Sequence, residues 1–438
     1  MKLVILDPGH FHAALVQKHM YANVDEAVHV YAPAGPDLDD YLRKIDSYNA
    51  RSAEPTRWRV VAHTGADFLQ RFVADRSGDV AVISGNNLRK TEYLTRAVEA
   101  GYHTLADKPM AIDPAGFDAL VGAFAAARER GVLLYDIMTE RHEITTMLQR
   151  EFSRIPEVFG ALAQGTEAQP AVTKESVHHF SKMVSGVPVK RPAWFFDTAQ
   201  QGEGLVDITS HLVDLVQWEC FPDQAIDYRS DIRIASARRW PTRISPAQFA
   251  QVTQLDGFPA FLRKDVQADG CLHVYANGEI NYAIRGVHAR ISVRWDFEAP
   301  AGAGDTHASV MRGSKANLTI RQGRDEAYRP TLAIEPADGA DLGAFAGVLD
   351  RALPGVQATY PGVDVRRAHR GWDVVVPEAY HVGHEAHFGQ VTEEFLGYVA
   401  NGALPAWEVP NMLAKYCTTT SALALAKQGS GPSSGNQR

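Results

Sequence analysis

Three side chains have types and spacings suited to moving a proton at a reacting carbon–oxygen centre. Lys108 stands in Asp107-Lys108-Pro109, directly after an apolar run at 103–106. Proline biases its predecessor toward extended backbone, so the ammonium is expected at the carboxyl edge of a strand, where open α/β sheets bind ligands. There it could hydrogen-bond a hydroxyl and stabilise a developing alkoxide. The plain alternative is a solvated loop lysine. Asp207 and His211 lie in the run Gly202-Glu203-Gly204-Leu205-Val206-Asp207-Ile208-Thr209-Ser210-His211. Four residues apart, they share one face of a helix expected over 205–218, and Asp214 and Trp218 continue that stripe. A histidine beside carboxylates can exchange a proton near neutral pH. A buried histidine satisfied by Asp207 or Asp214 would be purely structural.

A second group of residues could hold a nucleotide. Asp7-Pro8-Gly9-His10-Phe11-His12 falls between the first expected strand and the first expected helix. A dinucleotide turn needs glycines there, for a tight bend and close approach to pyrophosphate. Only Gly9 remains, with Asp7 and His12 at the flanking glycine positions. No acidic residue closes the second strand to bind a ribose, and Asp37 comes late. No basic residue follows that strand either, which favours NAD over NADP without excluding NADP.

A third group could hold substrate. Between residues 173 and 191, Lys174, Lys182, Lys190 and Arg191 face Glu175 alone, in a chain of net charge −8. His178, His179 and the following Trp194 add donors and a stacking ring. Such a set could clamp an anionic sugar, or could be a solvated loop or an oligomer surface. His381, His384 and His387 look like metal ligands, but His384-Glu385-Ala386-His387 is one residue short of the zinc-protease spacing. No metal site is expected.

These groups need a scaffold. Apolar runs at 2–6, 28–31, 59–62, 79–84, 103–106 and 132–135 alternate with helical stretches, the clearest at 88–100 with Gly101 as its cap. Strand–helix alternation predicts a doubly wound parallel sheet over residues 1–140. Beyond it, strands at 271–275, 279–284 and 289–297, with a turn at Asn277-Gly278, predict a second α+β domain over 141–428 built on an open, mostly antiparallel sheet. Helices are expected at 392–399 and 411–425. The Gly/Ser/Pro-rich tail 429–438 is expected to be disordered.

Composition sets the outer bounds. The 438 residues are 45% hydrophobic and 22% charged, which suits a globular protein with large cores. An acidic balance argues against nucleic acid as partner. No apolar run is long enough to span a membrane. The three cysteines, Cys220, Cys271 and Cys417, form no framework, so a reducing cytoplasm is expected.

Together the motifs resemble the superfamily of glucose–fructose oxidoreductase, inositol dehydrogenase and the rhizopine-catabolism proteins. Asp107-Lys108-Pro109 matches its Glu-Lys-Pro motif, Gly202–His211 its Gly-Gly-x3-Asp-x3-His motif, and Ser84-Gly85-Asn86 loosely its Thr-Pro-Asn turn. The runs Tyr135–Arg141 and Glu175–Phe180 resemble a branch with its own C-terminal domain, and the likeness covers nearly the whole chain. The resemblance implies a Rossmann domain, a nicotinamide cofactor and a sugar-like substrate. It places Lys108, Asp207 and His211 in the catalytic pocket. Gly9, His10, Phe11, His12, Ser84, Asn86, Asn87, Asp107 and Lys108 would then face the cofactor, and Lys174, His178, His179, Lys182, Arg191 and Trp194 the substrate. Expected reactions are a sugar 3-dehydrogenation, or a redox-neutral glycoside cleavage of the kind relatives perform on sulfoquinovosides. A nucleotide-sensing regulator without catalysis is a further option. A homodimer or homotetramer is expected by the same resemblance.

Overall fold

The computed structural model describes residues 1–184 and 187–429; the tail from residue 430, expected to be disordered, lies outside the described residues. Six strands, β1 (Leu3–Leu6), β2 (Ala27–Ala32), β3 (Arg59–Thr64), β4 (Val80–Ile83), β5 (His103–Asp107) and β6 (Leu134–Ile137), form one sheet in the order β3-β2-β1-β4-β5-β6. Every pair in it is parallel. β1 and β4 read LVIL and VAVI and are buried at every position, as strands covered by helices on both faces must be. The helices Pro36–Ala50, Phe68–Asp75, Lys90–Glu99 and Pro114–Arg130 provide that cover. Strand order reverses between β1 and β4, which opens a crevice at their carboxyl ends. The helix expected from residue 13 is a single turn, His12–Leu15.

The second sheet has nine strands. They are β7 (Val172–Ser181), β10 (Ile232–Ile244), β11 (Leu272–Ile284), β12 (Val287–Glu298), β13 (Thr306–Arg312), β14 (Ala316–Gln322), β15 (Thr331–Pro336), β16 (Asp364–Ala368) and β17 (Gly371–Val375). The short β8 (Met183–Val184) and β9 (Val187–Pro188) pair only with each other. The order is β10-β11-β12-β7-β13-β14-β15-β17-β16, antiparallel throughout except where β12 runs parallel to β7. The α/β class is therefore a Rossmann-type parallel sheet beside a large, mostly antiparallel one.

Asn277-Gly278 does not turn the chain; β11 runs straight through it. Its glycine serves packing instead. A Cβ on Gly278 would lie 2.4 Å from the Leu205 side chain, and a Cβ on Gly204 would lie 2.1 Å from the Ala276 carbonyl oxygen. The two glycines let the segment carrying Asp207 press against the sheet. Asn277 turns its side chain inward, donating to the Trp240 carbonyl and the Thr242 hydroxyl and accepting from the Trp295 amide. Residues 205–208 form turns, and the regular helix is Thr209–Cys220. Asp207 therefore precedes the helix that carries His211.

Two late helices, His384–Asn401 and Glu408–Gly429, return to the parallel sheet. Phe388, Val391, Phe395, Met412 and Tyr416 join its core, while Ala414, Ala422 and Leu423 join the core under the second sheet. Among the described residues, no helix is long and apolar enough to cross a membrane.

Candidate active site

β5 ends at Asp107, and Lys108 follows it into the crevice between the two sheets. Its Nζ donates to Asp207 Oδ1 at 2.6 Å, and Gln201 Nε2 donates to Asp207 Oδ2 at 3.1 Å. Both members of the ion pair have side chains only 8% exposed, so the charges hold each other in a nearly dry place. The carboxylate that the helical spacing assigned to His211 therefore serves Lys108. The other candidate partner, Asp214, is also taken: Arg141 binds it with two bonds of 2.7 Å and Lys415 with one of 2.9 Å. His211 is buried, and its Nδ1 has no hydrogen-bond partner. Burial first, and then the charge of Lys108, push its pKa down to about 3. His211 is thus a neutral imidazole with an unsatisfied nitrogen, in electrostatic reach of Lys108.

The loop after β1 differs from a phosphate cradle. Gly9 N donates to the Asp7 carbonyl, His10 N to the Ser84 carbonyl, and Ala13 N and Ala14 N to the His10 and Phe11 carbonyls. Two amides of the turn, those of Gly9 and His10, are thus spent on protein carbonyls. A Cβ on Gly9 would lie 3.0 Å from Asp37 Oδ2, so a carboxylate occupies the approach a phosphate needs. That oxygen accepts from Trp194 Nε1 at 3.0 Å. A second carboxylate, Asp7, accepts from the Tyr93 hydroxyl in the same loop. Asp7 itself is in the left-handed region, with φ 49°. A nicotinamide dinucleotide, which the fold class implies, meets a divided site. Its nicotinamide end fits beside Lys108 and the unpaired His211 nitrogen, while its pyrophosphate end meets an acidic loop with one glycine in place of three.

His10 and His12 turn toward Asp107 instead. His12 Nδ1 lies 2.9 Å and His10 Nδ1 3.5 Å from Asp107 Oδ2, which also accepts from the Ser84 hydroxyl at 3.0 Å. Burial lowers the pKa of both imidazoles. Burial alone would raise that of Asp107, but the histidines and Lys90 hold it well below the usual carboxylate range. Lys90, which the sequence did not single out, is fully buried with Nζ on the Asp107 carbonyl at 2.9 Å. Asn86 and Asn87 reach the other way, to Gln200 Oε1 and the Gln201 carbonyl. Those bonds dock the turn after β4 onto the loop that precedes Asp207.

The expected substrate residues divide. Lys174 is a correction: its side chain is wholly buried, and its Nζ binds both Glu219 oxygens and the Ser309 hydroxyl. Every proton of that ammonium has a partner, so it is part of the core. Arg191 is also structural. It donates to the Phe180 and His179 carbonyls under Phe195 and Trp295. Lys182 and His179 both bind Asp305, at 2.8 Å each, and His178 stacks on Trp295. Asp305 was missed because it sits on the far side of the strand pairing, more than a hundred residues away. Phe180, Phe195, Trp295, Gln201 and Asp207 line a small cleft. His384 leaves its local cluster and lies 3.4 Å from Glu140, while His387 Nδ1 is buried without a partner. His384 opens the helix His384–Asn401 with Glu140 as its partner.

Residues 148–427 match the family model described as putative oxidoreductase C terminal domain. The chain belongs to that family. The family model ends short of the Rossmann-type sheet, but a solved structure extends the likeness over it. That structure, a putative oxidoreductase from Parabacteroides merdae, shares 54% identity over 98% of both chains, with TM-score 0.96. Two further structures share the fold at lower identity. A levoglucosan dehydrogenase in complex with NADH and L-sorbose is 12% identical over 98% of this chain and 97% of its own, with TM-score 0.62. A 3-ketoreductase from Actinomadura kijaniata, in complex with TDP-benzene and NADP, is 15% identical over 97% of both chains, with TM-score 0.56. No curated protein matches the chain.

Proposed function

We propose that the chain is a nicotinamide-dependent enzyme acting on a pyranose CH–OH, with C3 as the first candidate carbon. The observation that carries this reading is the convergence of Lys108, Asp207 and the unpartnered His211 nitrogen, from segments about a hundred residues apart, at the carboxyl edge of β5. Asp207 fixes the lysine side chain. The ammonium can then donate to a substrate oxygen and stabilise negative charge as its proton leaves. His211, neutral across the working pH range, offers Nδ1 as an acceptor for the substrate hydroxyl and orients it beside the ammonium. Bound nicotinamide would supply the hydride acceptor. Phe180, Phe195 and Trp295 offer an apolar wall for a sugar ring. Two structures of this fold, bound to NADH with a sugar and to NADP with a nucleotide analogue, support the same class of chemistry.

The substrate we favour is neutral. In the basic stretch that suggested a sulfonated or carboxylated sugar, Lys174 pairs with Glu219, Lys182 with Asp305, and Arg191 is spent on main-chain carbonyls. The anionic glycoside is therefore set aside, and with it the charge argument for a sulfoquinovoside. The test is a panel of neutral and anionic glycosides with purified protein and added NAD or NADP. Reduced-nicotinamide absorbance and product mass are followed together. Stoichiometric NADH or NADPH with a keto product supports a dehydrogenase. Cleavage without net reduction supports the redox-neutral glycosidase. Failure of every sugar in both assays sinks the reading and leaves the non-catalytic regulator.

A further inference from the structure

We propose that His10, His12 and Asp107 form a three-ligand site for a first-row divalent cation such as zinc, manganese or iron(II). Each offers one ligand atom, and these atoms all lie within 4.8 Å of one another. An ion about 2.1 Å from each donor places neighbouring donors about 3.0 to 3.4 Å apart. The observed 2.9 Å from His12 Nδ1 and 3.5 Å from His10 Nδ1 to Asp107 Oδ2 bracket that spacing.

The His12 amide reaches His10 Nδ1 only at 3.4 Å, a long contact that engages that nitrogen's lone pair weakly. Asp107 Oδ2 is bonded to His12 Nδ1 and Ser84 Oγ and lies 3.5 Å from His10 Nδ1. A cation in place of the proton shared by His12 and Asp107 would meet all three donors. The surroundings hold the donors in place, as outer partners of a metal site do. Ser84 donates to Asp107 Oδ2, Lys90 pins the Asp107 carbonyl, and the His12 ring lies 4.4 Å from that of Phe388. Two imidazole nitrogens and one carboxylate suit zinc, iron(II) or manganese, whereas magnesium and calcium want oxygen donors throughout.

The site also explains the altered loop. His12 takes the position of the last glycine in a dinucleotide turn, and Asp107 comes from the strand that ends beside Lys108. A loop that keeps one glycine of three carries two imidazoles beside Asp107. Three protein ligands leave positions for water or for neighbouring oxygens of a sugar or keto sugar, whose carbonyl the cation would polarise. The proposal goes beyond the hydride reading and does not depend on it, since metal binding is measured with no substrate or nicotinamide.

The experiment uses untagged full-length protein, stripped with a chelator and titrated with Co(II) alone. One equivalent should bind, with a visible ligand-field band that Zn(II) abolishes. His10→Ala removes the most exposed ligand and should weaken Co(II) binding more than about 10-fold, at unchanged far-ultraviolet circular dichroism. Histidine-selective NMR of the unsubstituted protein answers the same question without a variant. Co(II) should broaden two imidazoles, His10 and His12, before any other. Absence of stoichiometric binding overturns the site, as does equal binding by His10→Ala and Asp107→Asn. First broadening at His384 or His387 overturns it as well.

Discussion

The helix Thr209–Cys220 carries two buried polar residues one turn apart, and their surroundings are opposite. Asp214 sits in a network of paired charges with Arg141 and Lys415, which extend to Glu408 and Asp136. Tyr416 and Tyr135 close its edges by donating to Asp136 and Glu408. One turn earlier, His211 has an orphaned nitrogen and faces a lysine bound elsewhere. Leaving a buried polar atom unpaired costs about 1–3 kcal/mol, and Asp136 Oδ1 and Glu408 Oε2 at the edge of the first cluster are unpaired as well. The first cluster links β6, the helix Thr209–Cys220 and the helix Glu408–Gly429, and it works as a scaffold. The second remains open to chemistry. Unpaired atoms by themselves do not separate the two roles; the first cluster matches carboxylates to cations, whereas His211 is a neutral imidazole beside a lysine.

Substitutions can test that division. Lys108→Met should lower turnover on the true substrate about 10²- to 10⁴-fold even when compared at equal amounts of folded protein, whereas a scaffold variant should keep its turnover per folded molecule. Unchanged turnover per folded molecule in Lys108→Met would merge the two clusters. Arg141→Met strands the carboxylates of Asp214 and Glu408 in the interior, and should cost about 3–5 kcal/mol in urea unfolding. A milder loss, with activity gone instead, would move Arg141 into the site. Gly278→Ala forces Cβ against Leu205 and should cost about 1–3 kcal/mol. Activity should fall with it, because the segment bearing Asp207 must back away from the sheet.

Two pH experiments sharpen the contrast further. Burial would raise the Asp214 pKa, but Arg141 and Lys415 outweigh it and hold the carboxyl well below its ordinary 3.8. Stability from that carboxylate is complete above the unfolded value and is lost as pH falls through the acid range. The acid limb of the stability curve should therefore be shallower in Asp214→Asn, measured by denaturant titration at successive pH values. His211 has the reverse sign. Held near pKa 3, it is already neutral at pH 5. The profile of kcat/KM should show no histidine limb near 6.5, and one that disappears in His211→Asn would contradict the assignment.

Local pattern made the six parallel strands legible, because β1 and β4 are unbroken apolar runs with both faces covered. Lys108 was legible from the strand before it and the proline after it. The partnerships were not. Glu219 neutralises Lys174 from 45 residues away, Asp305 neutralises Lys182 from 123, and Lys415 reaches Asp214 from 201. Spacing along one helix paired Asp207 with His211, yet sheet packing through Gly204 and Gly278 carried that carboxylate to Lys108. Asn-Gly has the form of a hairpin turn. Here the glycine was selected by a neighbouring leucine, which no local pattern reveals. His12 was noticed only as a missing glycine. Its bond to Asp107 spans 95 residues.

The helix Glu408–Gly429 contributes Met412 and Tyr416 to one core and Ala414, Ala422 and Leu423 to the other. This one helix is thus a keystone shared by two arches. Without it, the parallel sheet lacks part of its cover, and Asp136 and Asp214 lack a common cation. A fragment ending after the ninth strand of the larger sheet would therefore present two unfinished interiors rather than one finished half.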